Sequence, residues 1–156
     1  MGFDFTIGNA TPTYPNEDGD NFGWTVERAT HPDAPAIPND APWSVRGNHR
    51  SPSYNVWHDF AESVGVADLF NGRNPPLIPS YPGVAPLTRE HADRFDAALV
   101  AFRAHHPSAI PRFSADMMGH GEDIGPHDAH LARLVWLAWW TRWAVESCEH
   151  PAIEAG

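Results

Sequence analysis

Seven groups able to bind a metal or move a proton fall within residues 116–130: Asp116, His120, Glu122, Asp123, His127, Asp128 and His130, interleaved with Gly119, Gly121 and Gly125. Imidazole nitrogens and carboxylate oxygens are the donors of an open zinc or other divalent site, which takes three protein ligands and leaves a position for water. The expected set is His120, His127 and His130, with Asp116, Glu122 or Asp123 as a fourth ligand or as the base for a metal-activated water. That chemistry would make the chain a metal-dependent hydrolase. The spacing matches no established signature, however: there is no H-E-x-x-H, and His120-Gly121-Glu122 is not followed by P-C-x-x-C. The plainer reading is a hydrated loop and helix start, in which Asp123 and Asp128 are favoured by the positive end of the helix dipole. On the first reading the cofactor is a divalent metal such as zinc; on the second there is none.

Other constellations are less complete. His58-Asp59 and His127-Asp128 are histidine–aspartate doublets of the sort that ligate one ion in helical phosphohydrolases, but only Glu146, Glu149 and Glu154 follow the second where a further Asp is needed. Cys148 has His150 near it, yet it falls in the last turn of a helix, where the negative dipole end disfavours thiolate, so it reads as a small hydrophobe. No G-x-S-x-G, G-x-G-x-x-G or P-loop pattern occurs, and the absence of Lys excludes a Schiff-base, P-loop or kinase lysine.

Aromatic and guanidinium groups are the alternative currency. Trp136, Trp139, Trp140 and Trp143 recur at i, i+3, i+4 and i+7, a stripe whose large apolar area belongs in a core. Trp24 and Trp43, on a strand and in a proline loop, are better placed for an exposed contact, and Trp43, Tyr54 and Tyr81 are the expected aromatic binding residues. Arg133 and Arg142 sit in the Trp helix. A guanidinium there is stacked and carboxylate-paired, or it binds an anion.

The bulk composition narrows the partners. The 156 residues carry 20 acidic side chains against 10 basic ones, all Arg, for a formal charge of −10. Scattered Arg in an acidic chain predicts no nucleic-acid partner. The acidic residues are themselves dispersed, and a GC-rich genome explains the missing Lys without function. Met1 to Ile7 shows no signal-peptide pattern and the apolar run Leu134 to Trp140 is far short of the ~20 residues of a membrane span, so a soluble, unexported protein with no membrane partner is expected. One Cys excludes an internal disulfide.

Elements that would position these groups follow from the prolines. Sixteen Pro, concentrated in residues 32–42 and 75–86, leave three stretches free for helices. The first opens at Ser51-Pro52, places Tyr54, Trp57, Ala61 and Val64 on one stripe and stops at Gly65; the second is capped by Thr88, with Ala92, Phe95, Leu99 and Phe102 inward, and ends at His106-Pro107. The third runs from near Pro126 to about Cys148 and is apolar nearly all round. Alternating Phe3–Ile7 and Phe22–Val26, separated by turn residues, predict a hairpin or meander laid over the helices. The expected class is α+β, mainly helical: three main helices with a buried Trp-rich C-terminal helix, a short N-terminal β-hairpin and long proline-rich loops. One domain spans 1–156, with a β segment at 1–30, a proline-rich loop at 31–50 and a helical core at 51–150.

The stretch Arg133 to Ala144 with Cys148-Glu149-His150-Pro151-Ala152, the opening Met1 to Phe5, Ser51 to Trp57 and Pro82 to Thr88 together resemble a set of small uncharacterised proteins of bacteria and their phages. The resemblance implies a cytoplasmic accessory protein, in host cytoplasm if phage-encoded, and no particular activity. With no complete catalytic constellation, the leading expectation is a non-enzymatic binding protein for a protein partner or small anionic ligand. The metal-dependent hydrolase and a structural subunit of a larger, oligomeric assembly are the alternatives.

Overall fold

The computed structural model describes residues 4–13, 23–36, 46–50, 54–71, 77, 83–112 and 125–156. In chain order the elements are β1 (Phe5–Thr13), β2 (Gly23–Val26), β3 (His49–Arg50), α1 (Tyr54–Ser63), α2 (Ala67–Asn71), β4 (Gly83–Pro86), α3 (Arg89–His105), α4 (Asp128–Ser147) and β5 (Pro151–Ala155). Helices take about half of the described residues and pack on a curled antiparallel sheet, so the class is α+β.

The helices form where local chemistry asks for them. In α1, Trp57, Phe60, Ala61 and Val64 are buried, and the helix ends where Gly65 adopts φ 76, a left-handed conformation that glycine takes without a Cβ penalty. There Val66 N–H closes back onto Ala61 O (2.9 Å) and Gly65 N–H onto Glu62 O (3.1 Å), satisfying carbonyls that the helix leaves open. Thr88 caps α3: its Oγ1 accepts from His91 N–H (3.4 Å), while Thr88 N–H donates to His91 Nδ1 (3.0 Å), a reciprocal pair in which His takes the place usually held by Glu. Helix α4 buries ten residues distributed around its circumference and lies between α3 on one side and β1 and β5 on the other. Its four Trp divide: Trp136 and Trp140 are fully buried, and Trp139 and Trp143 are half-buried beneath His31, whose ring lies 5.2 Å from that of Trp139.

The strand order is β2-β1-β5-β4, with β3 also paired to β1. Here the structure departs from the sequence reading. Residues Ala10 to Thr13, expected in a turn or just before it, are the ones that pair with β2, while Phe5 to Asn9 pair with β5 at the other end of the chain. Strands β3, β4 and β5, and the short helix α2, were not anticipated. Alternation sorts the sheet into two faces. Phe5, Ile7, Ala85, Ile153 and Ala155 join the helical core, whereas Ala10, Val26 and Ala152 form a second small cluster, with Val84 packed against it, on the opposite face.

Candidate functional site

The sheet curls because β2 bends toward β5 and β4, strands with which it shares no ladder. One carboxylate spans the gap: Glu154 Oε2, on β5, accepts from Val26 N–H (2.8 Å) and from Thr25 Oγ1 (3.1 Å) on β2. The close approach needs Gly8 on the intervening strand. A Cβ there would lie 3.4 Å from Val26 Cγ1 and 3.1 Å from Asn48 Nδ2.

Inside the curl is a cavity of about 370 Å³, floored by Ala10 and Ala152 and walled by Trp24, Val84 and Pro86, with Glu149 and His150 at its rim. Its volume lies within the ~300–1,000 Å³ of small-molecule sites. Trp24 is 49% exposed and is the one aromatic among the large apolar side chains left exposed in the described residues. The His150 ring stands edge-on to it, 5.3 Å between centroids. His150 is itself positioned by backbone: its N–H donates to Asn9 Oδ1 (2.9 Å) and its carbonyl accepts from Ala10 N–H (2.8 Å). Small side chains on the floor and an indole on the wall leave a mainly apolar space, with Glu149 and His150 as its polar side chains among the described residues.

Of the residues singled out by sequence, Trp24 lines this cavity. Trp43, Tyr81, Asp116, His120, Glu122 and Asp123 lie outside the described residues, and Tyr54 is the first residue of α1. His127 and His130, three apart at the start of α4, take different neighbours. His127 stacks on His106 at the end of α3, rings 3.7 Å apart, while the Nε2 of His130 lies 3.5 Å from Asp59 on α1. Burial holds the His130 imidazole below its ordinary pKa despite Asp59, with Arg133 and His127 adding to the effect, so at neutral pH it is an uncharged ring packed near Phe60. Among the described residues, no three His, Cys, Asp or Glu side chains are grouped to hold a metal. Asp128, expected to meet the helix dipole or, with His127, to ligate an ion, is a buried hub: it accepts from Ile110 N–H (3.0 Å), Gly125 N–H (3.1 Å) and Arg112 Nε (2.6 Å), tying Ile110 and Arg112 to the start of α4.

The two arginines of the Trp helix also resolve. Arg142 donates to Asp96 through Nε (3.0 Å) and Nη2 (2.6 Å) and to Asp93 through Nη2 (2.6 Å), bonds that raise its pKa further and pin α4 to α3. It lines a groove of about 430 Å³ between those helices, with Arg103, Trp139 and Trp143. Arg133 is half-buried on α4 near His130. A guanidinium that does lie over an indole is that of Arg50, 5.1 Å from the Trp136 ring and almost fully buried. Cys148 is half-buried at the end of α4, and burial, aided by Glu27, pushes its thiol pKa up and away from a nucleophilic thiolate.

The chain is an α+β protein whose curled sheet carries an open, mainly apolar cavity on one face. Set beside known protein families, curated proteins and solved structures, the chain matches none of them. No helix among the described residues is long and apolar enough to cross a membrane.

Proposed function

We propose that this is a binding protein whose ligand seat is the cavity inside the curled sheet. The observation that carries the reading is Trp24: an indole left half exposed on the wall of a preformed space of about 370 Å³. The indole stands over the small apolar cluster of Ala10, Val26, Ala152 and Val84, so a ligand seated there would bury further apolar surface at about 25 cal/mol per Å². Trp24, expected from the sequence to be placed for an exposed contact, stands on such a wall. The groove between α3 and α4 supports a second reading, a small anionic ligand, because Arg103 and Arg142 lie there beside two half-buried indoles. Arg142 already engages Asp93 and Asp96, so an anion would have to displace carboxylates to reach it.

Seven Trp give seven indole N–H signals, and an NMR titration of nitrogen-15-labelled protein separates the two readings. The probes are indole, phenylacetate and choline, with Trp24 identified through Trp24→Phe. A saturable shift of the Trp24 signal, accompanied by shifts of the Ala10 and Ala152 backbone N–H signals that disappear in Trp24→Ala while its circular dichroism is unchanged, supports the sheet cavity. Saturable shifts confined to Trp139 and Trp143 with phenylacetate move the seat to the helical groove. Invariance of all seven signals overturns both.

A further inference from the structure

Resting on the reading of the sheet cavity as the ligand seat, we propose that its ligand is a small organic cation, an ammonium group with apolar substituents. The cavity is lined by apolar side chains and by one group of fixed negative charge, Glu149, whose carboxylate is 84% exposed at the rim. The nearest cationic candidate to Glu149 is His150 Nε2, at 3.8 Å, outside hydrogen-bond distance. Among the described residues no Arg lines the cavity, and the chain contains no Lys. An anion entering would meet the Glu149 carboxylate, with the imidazole of His150 as the one described group able to oppose it. A cation would meet the opposite sign at the rim and the half-exposed indole of Trp24, the best of the aromatic side chains for this purpose, in the part that the His150 ring at 5.3 Å leaves open.

Size and shape agree with that chemistry. A substituted ammonium has no need of several hydrogen-bond partners, and the floor of Ala10 and Ala152 supplies none from its side chains. The apolar walls from Val84 and Pro86 accept methyl or methylene groups, while the charge sits between the indole and the carboxylate. Ordinary ammonium ions, strongly hydrated, would lose water without replacement there; alkylated ones carry their charge with a greasy surface. A whole-chain charge of −10 adds long-range attraction for cations and repulsion for anions.

Choline and 3,3-dimethylbutan-1-ol have the same shape, one charged and the other neutral, and their comparison tests the proposal on the intact chain by the same indole N–H titration. Choline is expected to shift the Trp24 signal with a Kd roughly tenfold or more below that of the alcohol. Trp24→Ala, followed on the backbone N–H signals of Ala10 and Ala152 because it lacks the Trp24 reporter, should abolish the binding, and Glu149→Gln should weaken choline several-fold with the loss growing at low salt, while leaving the alcohol unchanged. Equal affinity for the two compounds, or an unchanged choline Kd in both variants, overturns the cation assignment. If neither shifts Trp24 but indole or phenylacetate does, the cation assignment fails and the cavity still stands as a seat. If no probe shifts Trp24, the seat fails with it.

Discussion

Single residues hold the curl that makes the cavity, and Asn48 is the clearest. Its side chain is almost completely buried and all of its hydrogen-bonding directions but one are used: Nδ2 donates to Ile7 O (2.9 Å) and Glu27 O (2.8 Å), and Oδ1 accepts from Ala29 N–H (2.8 Å). Its backbone extends the same seam, accepting from Ile7 N–H (3.0 Å) and donating to Ala29 O (3.0 Å). Asn48→Ala would leave two carbonyls and one N–H without their partner; the buried Ile7 carbonyl carries the full cost of about 1–3 kcal/mol and the part-buried Glu27 carbonyl and Ala29 N–H less, so a loss of roughly 2–4 kcal/mol is expected by urea denaturation. Asn48→Asp should be no better tolerated, because a carboxylate cannot donate to the two carbonyls and would add a buried charge. A loss below about 1 kcal/mol for Asn48→Ala would show that the seam relaxes around the gap. Gly8 belongs to the same arrangement: the Asn48 amide that a Cβ would crowd is held on three sides and cannot swing away. Neither residue carries a signal in the sequence, since one Asn in a proline-rich stretch and one Gly in a strand look the same whether or not they meet.

At the scale of elements, what is legible is what is local. Three helices can be read from a 3.6-residue stripe plus a start or stop residue, and Thr88, Gly65 and the Pro-free run before Cys148 each mark a boundary of an observed helix. Because the α3 cap is a side-chain bond to one backbone N–H, Thr88→Ala should cost about 1 kcal/mol in thermal or urea unfolding, and Thr88→Ser should restore most of it. No difference between Ala and Ser would mean that packing of Ala92 and Phe95 alone fixes the start of α3. The strands are another matter. Gly83-Val84-Ala85-Pro86 and Pro151-Ala152-Ile153-Glu154-Ala155 contain Pro, Gly and helix-favouring Ala, and they are strands because β1 and each other supply ladders. The pair Phe5↔Ala155 joins residues almost the whole chain apart, information that no window of sequence holds. The site inherits the same limit. Trp24 stands out as an exposed aromatic on its own strand, but Glu149 and His150 become its neighbours only through the β1–β5 pairing.

At the scale of the whole molecule, ten His and a charge of −10 pull in opposite directions as pH falls. Protonating exposed imidazoles reduces the net negative charge and with it a diffuse repulsion, which salt at 0.15 M screens beyond about 8 Å. Protonating the packed imidazoles is a specific penalty. His49 is buried and bonded to Thr6 Oγ1 (3.0 Å); burial foremost, then Arg28, hold its pKa below the ordinary 6.5, against Asp4 and Glu154. Burial likewise lowers His130, and His91, whose Nδ1 must stay unprotonated to accept from Thr88 N–H. His106 is lowered by desolvation and by the stacked His127. A His whose folded pKa is depressed takes up its proton more readily in the unfolded chain, so stability rises with pH wherever the unfolded state binds more protons. Its contribution is complete above the unfolded value of 6.5 and is lost as pH falls from there through the folded value. With four such groups and a screened opposing term, Tm should be flat above pH 6.5 and fall steadily below it at 0.15 M salt, well before Asp128 and Asp68, both depressed, begin to take up protons. His130→Gln, which fills a similar space without a titrating proton, should decline less steeply than the natural chain over the same range. A Tm that rises on acidification from pH 6.5 would show instead that relief of net charge outweighs the cost of charging packed imidazoles.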